Sequence, residues 1–116
     1  MKLSGELRVL KSLWETGRGL MFRKNPLHFF FWFKLGWHAR HRITMWFVFF
    51  PIDVVIIDDT GKIIEIKEGL QPWSYYRPKH AFREFVEFPS GFCKRCALKV
   101  GKQLVLDEKN GTVQLC

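Results

Sequence analysis

The sequence predicts a mostly β protein, an antiparallel β-sandwich or barrel with one or two short helices. Three observations carry that expectation. From Leu20 onward the apolar residues gather in short aromatic and β-branched runs, the composition of strands. Two such runs flank Asp58-Asp59-Thr60-Gly61 and two more flank Asn110-Gly111, and both are hairpin signatures. Where apolar and polar residues alternate, as in Ala81 to Phe88, the period is two. The chain has 116 residues, of which 47% are hydrophobic and 26% charged. That is long enough to bury one core and too apolar for wholesale disorder. No repeat or linker divides the chain, so residues 1–116 are expected to form a single domain.

The elements follow in order. Residues 3–14 fit two patterns: Leu3, Leu7, Leu10 and Trp14 keep helical spacing, while Leu7 and Val9 alternate with Glu6 and Arg8 as in a strand. Ser12 can cap a short helix to Thr16, which Gly17 and Gly19 end. His28 to Phe33 is a strand, Lys34 to Arg42 a polar loop, Ile43 to Phe50 a second strand and Val54 to Ile57 a third. After the Asp58–Gly61 hairpin, Ile64 and Ile66 alternate with Glu65 and Lys67, which predicts one dry and one wet face. Leu70 to Arg77 is a loop punctuated by Pro72 and followed by Pro78. In the strand Ala81 to Phe88, Phe85 and Glu87 share one side with Arg83. Pro89-Ser90-Gly91 stops it, Ser90 caps a helix to about Leu98, and Gly101 ends that helix. Gln103 to Asp107 and Thr112 to Leu115 form the second hairpin.

Charge is uneven. The formal net charge is +8, and residues 1–50 hold nine Lys/Arg against two acids. A basic half of this kind attracts phosphate, nucleic acid or an anionic surface. The opening residues carry charges throughout and no apolar core of a secretion signal. The longest uncharged apolar stretch, Ile43 to Ile52, falls well short of the roughly 20 residues a membrane span requires. With three Cys and no export signal, a disulfide framework is not expected, and the reading is cytoplasmic.

Several residues can carry chemistry. Asp53 lies inside FVFFPIDVVII, a run apolar enough to be buried on both faces. A carboxylate there must be neutral, paired or turned to a polar pocket. Arg18 and Arg23 of RGLMFR are the guanidiniums proposed to pair with it. In HARHR, Arg40, His41 and Arg42 stand beside Trp37, a cation-and-ring mixture suited to phosphate or nucleic acid. His38 and His41 have a spacing that can grip zinc but lack further ligands. Cys93-Lys-Arg-Cys96 is a single CxxC whose flanking cations would lower a thiol pKa. Trp73, Tyr75 and Tyr76 crowd one loop with Arg77 and Lys79, rings suited either to recognition or to plugging a sandwich. There is no nucleophile elbow, no HExxH and no phosphate-cradling glycine loop, so no cofactor and no metal site is expected.

RGLMFR (18–23), MWFVFFPID (45–53), DxxGKIIEI (58–66), the LQPW…Y loop (70–76), EFPSG (87–91) and KVG (99–101) come in the order seen in the domain-of-unknown-function family number 192. The resemblance covers about residues 12–107 and is strongest to the archaeal branch. Arg18, Gly19, Leu20, Met21, Arg23, Met45, Pro51 and Asp53 are the family-like positions. Trp46 and Phe47 replace the Lys-Asn of the bacterial pattern. The Cys93/Cys96 pair, HARHR and Cys116 lie outside the family pattern. The resemblance implies a compact β-rich fold with a short helix near each end. It implies no reaction.

The leading expectation is a small non-enzymatic binding domain. Its site is where RGLMFR meets the Pro51-Ile52-Asp53 strand and the Trp73–Tyr76 loop closes over it. Arg18, Arg23, Met45, Asp53, Trp73 and Tyr76 would bind a small ligand or a protein. One alternative is nucleic-acid or phosphate binding by the basic half through Arg40, His41 and Arg42. A second is a small hydrolase or lyase with Asp53 as general base, which needs Asp53 on the wall of an open cleft.

Overall fold

The hairpin at Asp58–Gly61 anchors the architecture. A computed structural model describes residues 2–4, 6–10, 29–45, 49–107 and 112–115. Its strands are β1 (Lys2–Ser4), β2 (Glu6–Leu10), β3 (Phe29–Ala39), β4 (Ile43–Thr44), β5 (Ile52–Ile57), β6 (Ile63–Leu70), β7 (Tyr75–Tyr76), β8 (Phe82–Pro89), β9 (Leu104–Asp107) and β10 (Thr112–Leu115). One helix, α1 (Phe92–Arg95), follows β8. Five strands form the main sheet in the order β2-β3-β8-β5-β6. A three-stranded sheet runs β1-β10-β9, and β4 with β7 makes a two-stranded ribbon. Every pair is antiparallel except β2 with β3. The mostly β, mostly antiparallel expectation holds.

All six residues of β5 are buried, so its two sides feed two cores. On one face Ile52, Val54 and Ile56 join Phe31, Phe33, Phe85, Met45 and Phe50. On the other, Val55 and Ile57 join Val86, Phe88, Phe92, Cys93, Leu98 and Leu104. Leu104 belongs to β9, so the three-stranded sheet closes this second face and gives the sandwich character. Stacked rings lock each core: Phe33 on Phe85 at 4.5 Å and Phe88 on Phe92 at 4.4 Å.

Local chemistry explains the hairpin. Asp58 Oδ1 accepts the backbone N–H groups of Thr60 and Lys62 and the Thr60 hydroxyl. Gly61 has φ 88°, and a Cβ there would meet the Leu104 carbonyl oxygen at 2.5 Å. Only glycine fits such a position.

Of the two patterns that residues 3–14 fit, residues 6–10 take the strand, paired with β3. Other expectations need correction. The loop predicted from Lys34 is largely strand, since β3 runs on to Ala39 with its register against β8 shifting between Lys34 and Ala39. Of the second predicted strand, Ile43–Thr44 is strand while Met45, Phe49 and Phe50 are not, and the loop at 70–77 contains β7, which pairs with it. Ser90 does not cap α1: Gly91, at φ 87°, holds the N-cap place with no side-chain bond. The helix stops at Arg95 because Ala97 turns left-handed, φ 53°, and Leu98 N–H returns to the Cys93 carbonyl. The predicted helix at 12–16 and the Asn110-Gly111 turn lie outside the described residues, although β9 and β10 flanking that turn pair as expected.

Candidate functional site

Asp53 is fully buried, as its sequence setting demands. The way it is held differs from expectation. Opposite Asp53 the β5–β6 register jumps from Ile52↔Leu70 to Val54↔Lys67, so β6 carries one extra residue there. The bulge holds Gly69 at φ 63° and aims its N–H at Asp53 Oδ1, 2.9 Å away. Cys93 N–H reaches Oδ2 at 3.0 Å from the first turn of α1. The carboxyl therefore staples the sheet to the bulge and to the helix. Arg18 and Arg23, the partners expected from sequence, lie outside the described residues. A sealed acid with both oxygens engaged is a structural tie and gives no support to the general-base reading.

The same geometry corrects the CxxC expectation. Burial, then the nearby Asp53 carboxyl, push the Cys93 thiol well above its ordinary range rather than lowering it. Among the described residues no cluster of His, Cys, Asp or Glu could hold a metal ion. His38 and His41 part company: His38 Nε2 donates to Asp59 Oδ1 at 3.1 Å and His41 Nε2 to the Trp37 carbonyl at 3.0 Å.

Met45, Trp73 and Tyr76 do come together, on the ribbon. Thr44 pairs with Tyr75 and Ile43 with Tyr76. Met45 N–H donates to the Ser74 carbonyl at 2.8 Å, and Trp73 N–H to the Met45 carbonyl at 2.9 Å. Alternation sinks Ile43 and Met45 into the core and turns Thr44 and Tyr75 outward. Tyr75 is 62% exposed. The Arg42 guanidinium lies over its ring at 5.0 Å. Trp73, also exposed, meets the edge of the exposed Phe49 ring at 6.1 Å. Asp53 faces the opposite core and takes no part.

A buried carboxylate anchors this ribbon. Glu65, 8% exposed, accepts the Tyr76 hydroxyl, the Lys79 N–H at 3.0 Å and the His80 ring Nδ1–H at 2.8 Å. Burial would raise its pKa, but the Tyr76 hydroxyl, the His80 ring and the Lys79 and His80 backbone donors outweigh it and hold the carboxyl below the usual range. In return, burial and then the Glu65 bond push Tyr76 up to about 12. The sequence placed Glu65 on a wet face. A second register shift, between Ile56 and Ile57, overturns that by placing Ile63 and Ile64 against Ile57 and setting Glu65 opposite Ile56. Arg40 ties the HARHR segment to the same loop, its Nε donating to the Pro78 carbonyl at 2.9 Å.

Two further features escaped the sequence reading. Glu87, 6% exposed, lies between Phe31 and Val54 in register. Its Oε2 finds no hydrogen-bond partner among the described residues, and burial pushes its pKa up to about 8. Its shared side with Phe85 was the signal. The other is a hollow of about 250 Å³ beside the hairpin, lined by Trp32, Ile57, Asp59, Glu84, Leu104 and their neighbours. Asp59 there accepts Arg83 at 2.9 Å as well as His38, and Glu84 accepts Trp32 Nε1 at 3.0 Å. This hollow does not touch Asp53. No helix among the described residues is long and apolar enough to cross a membrane.

Comparison with known proteins follows the motifs. The DUF192 family model, described as an uncharacterized ACR, matches residues 2–106. A UPF0127 protein of Pyrococcus abyssi is 28% identical over 106 residues, covering 90% of this chain and 88% of its own. UPF0127 proteins of Thermococcus sibiricus and Thermococcus kodakarensis are 25% and 28% identical, and the chain spans only 66% and 62% of their lengths. Two crystal structures share the fold. A candidate transcription regulator from Sinorhizobium meliloti superposes with TM-score 0.78 at 19% identity, covering 94% of this chain and 80% of its own. A protein of unknown function from Novosphingobium aromaticivorans does so with TM-score 0.76 at 17% identity, covering 84% and 71%. With its motifs in family order and the family match reaching from β1 into β9, this chain belongs to the DUF192 family.

Proposed function

We propose that the protein is a non-enzymatic binding module whose working surface is the β4–β7 ribbon, and that its partner is anionic. The observation that carries this is the Arg42 guanidinium poised over the outward ring of Tyr75, on a chain of net charge +8. Arg40, Arg77 and Lys79 are exposed on the segments flanking the ribbon, while Glu65, the acid beneath it, is covered by the loop it binds. The field at this surface favours negative charge. Trp73 adds a second sign. Its φ of 61° is left-handed, costly for a residue with a Cβ, and such strain gathers where function requires a particular presentation. The Sinorhizobium neighbour's description as a candidate transcription regulator is compatible with an anionic partner, though at 19% identity the likeness is one of fold.

This reading moves the expected site. Trp73 and Tyr76 stay in it, Met45 supports it from below, and Arg40 and Arg42 enter from the nucleic-acid alternative. Asp53 leaves it for the core. Titration with inorganic polyphosphate tests the charge requirement. Binding should weaken with added salt, and Arg42→Ala should flatten the slope of log affinity against log salt by about 1. An Arg42→Ala protein that binds polyphosphate with the wild-type slope would place the anion elsewhere and end the proposal.

A further inference from the structure

Away from the ribbon, we propose that Cys93 and Cys96 form a reversible disulfide, closed by exchange with a small anionic disulfide that enters at Cys96. The spacing comes from the backbone. The Cα separation of two residues three apart is set by the φ and ψ of the two between them, and Lys94 and Arg95 both lie in α1. Cys96 N–H donates to the Phe92 carbonyl at 3.0 Å, which completes the helical turn. Such a turn puts the two Cα atoms about 5 Å apart, inside the span of about 4.4–6.8 Å that a disulfide bridges. The Cβ atoms must draw in by about 1 Å to bond. The end of the helix can supply that movement, because Cys96 is the C-cap, at φ −98° and ψ 5°, and Ala97 beyond it has already left the helix.

The two sulfurs differ in access. Cys93 is 1% exposed, whereas Cys96 is only half-buried. An incoming disulfide therefore meets Cys96. Lys94, Arg95 and Lys99 are exposed around it, and their field draws an anionic reagent. The Cys96 thiolate attacks one sulfur of that reagent; the reagent's S–S bond breaks, and one thiolate departs and takes up the proton Cys96 has shed. The Cys93 sulfur then attacks the Cys96 sulfur and expels the second thiolate, which takes the Cys93 proton. Two protein thiols are oxidised to one disulfide, and one small disulfide is reduced to two thiols. The surroundings of Cys93 suit this exchange and not a metal. Burial, then the Asp53 carboxyl and further off that of Glu68, oppose a negative sulfur there. A zinc ligand must be a standing thiolate. Thiol and disulfide are both neutral, so Cys93 can alternate between them without holding a charge in the core.

The test uses the full chain carrying Cys116→Ser, so that only this pair can react. The folded protein is incubated with glutathione disulfide, quenched with N-ethylmaleimide and read by intact mass and peptide mapping. A Cys93–Cys96 disulfide should accumulate and return to two thiols in excess reduced glutathione. Cys93→Ala should stop at the mixed disulfide on Cys96. In Cys96→Ser the buried Cys93 should react about tenfold or more slowly than Cys96 does in its absence. A protein that stays a dithiol, that halts at the mixed disulfide with Cys93 present, or that closes only in urea would overturn the proposal. Should Cys93→Ala fail to melt cooperatively, the Cys96→Ser arm decides: a Cys93 as reactive there as Cys96 is in the parent would overturn the order of attack and with it the proposal.

Discussion

Glu65 and Glu87 are the same side chain under nearly the same cover, 8% and 6% exposed, and they meet opposite fates. Glu65 sits where a loop folds back over the sheet, and that loop brings a hydroxyl, a ring N–H and backbone N–H groups to its oxygens. Its pKa falls below the usual range despite burial. Glu87 sits mid-sheet between Phe31 and Val54, where backbone donors are engaged in the ladders on both sides. Nothing among the described residues reaches its Oε2, and its pKa climbs to about 8. Low exposure alone therefore does not decide the state of a carboxyl here. Depth of burial and the supply of donors do, and irregular backbone supplies donors that a regular ladder has already used.

The largest consequence is in the pH dependence of stability. Glu87 binds its proton more tightly in the folded chain than in the unfolded one, so its stabilising effect is complete below the unfolded pKa of 4.5. It declines as pH rises and is gone once the folded pKa of about 8 is passed. The full swing is on the order of 5 kcal/mol. Glu87→Gln, neutral at every pH, should abolish this decline. Urea melts of the variant at about pH 5.5 and about pH 8 should therefore coincide, while the wild type weakens between them. Parallel curves for the two proteins would mean that Glu87 has a donor in solution. Glu65 works in the other direction. Its contribution is present above the unfolded value and fades as the medium is acidified.

Asp53 sharpens the comparison, being an acid on β5 whose donors come from a bulge and a helix start. Asp53→Ala should cost about 4 kcal/mol, because two buried backbone N–H groups lose their acceptor at once. Asp53→Asn should recover part of this, since its carbonyl oxygen can serve one donor but its amide opposes the other. Equal urea midpoints for wild type and Asp53→Ala would show that the two N–H groups find other partners. The sequence reading paired Asp53 with a guanidinium; within the described residues the groups that Asp53→Ala strands are backbone amides.

What could be read in advance follows the same division. The Asp58–Gly61 hairpin was legible because its signal is local: one side chain bonds residues two and four positions on, and one glycine takes the left-handed turn. The burial of Asp53 was legible from its apolar run. The two faces of β8 were legible, as Phe85 and Glu87 do share a side. The wet-face assignment of Glu65 failed because a bulge changes which residues face together, and a bulge is a property of two paired strands. The ribbon failed for the same reason. Ile43–Thr44 was read as the start of a strand, but Tyr75–Tyr76 is too short to announce itself, and only their pairing puts Arg42 on Tyr75 and joins two separately noted loops into one surface.

The smallest effect isolates one donor. Tyr76→Phe removes the hydroxyl from Glu65 and leaves the His80 and Lys79 donors in place. The cost should be about 1 kcal/mol at neutral pH, one hydrogen bond to a charged group less the water that replaces it. The sign of the accompanying pH effect tests the mechanism. With one lowering contact gone, Glu65 should titrate at higher pH than in wild type, so less stability is left to lose on acidification and the acid-dependent decline should be smaller. Binding of polyphosphate at neutral pH should stay as in wild type, because Tyr75 and not Tyr76 bears the Arg42 contact. If Tyr76→Phe loses that binding while keeping its melting temperature, the Glu65 clasp sets the shape of the outer surface as well as the stability of the loop, and the two glutamates differ in function as well as in charge.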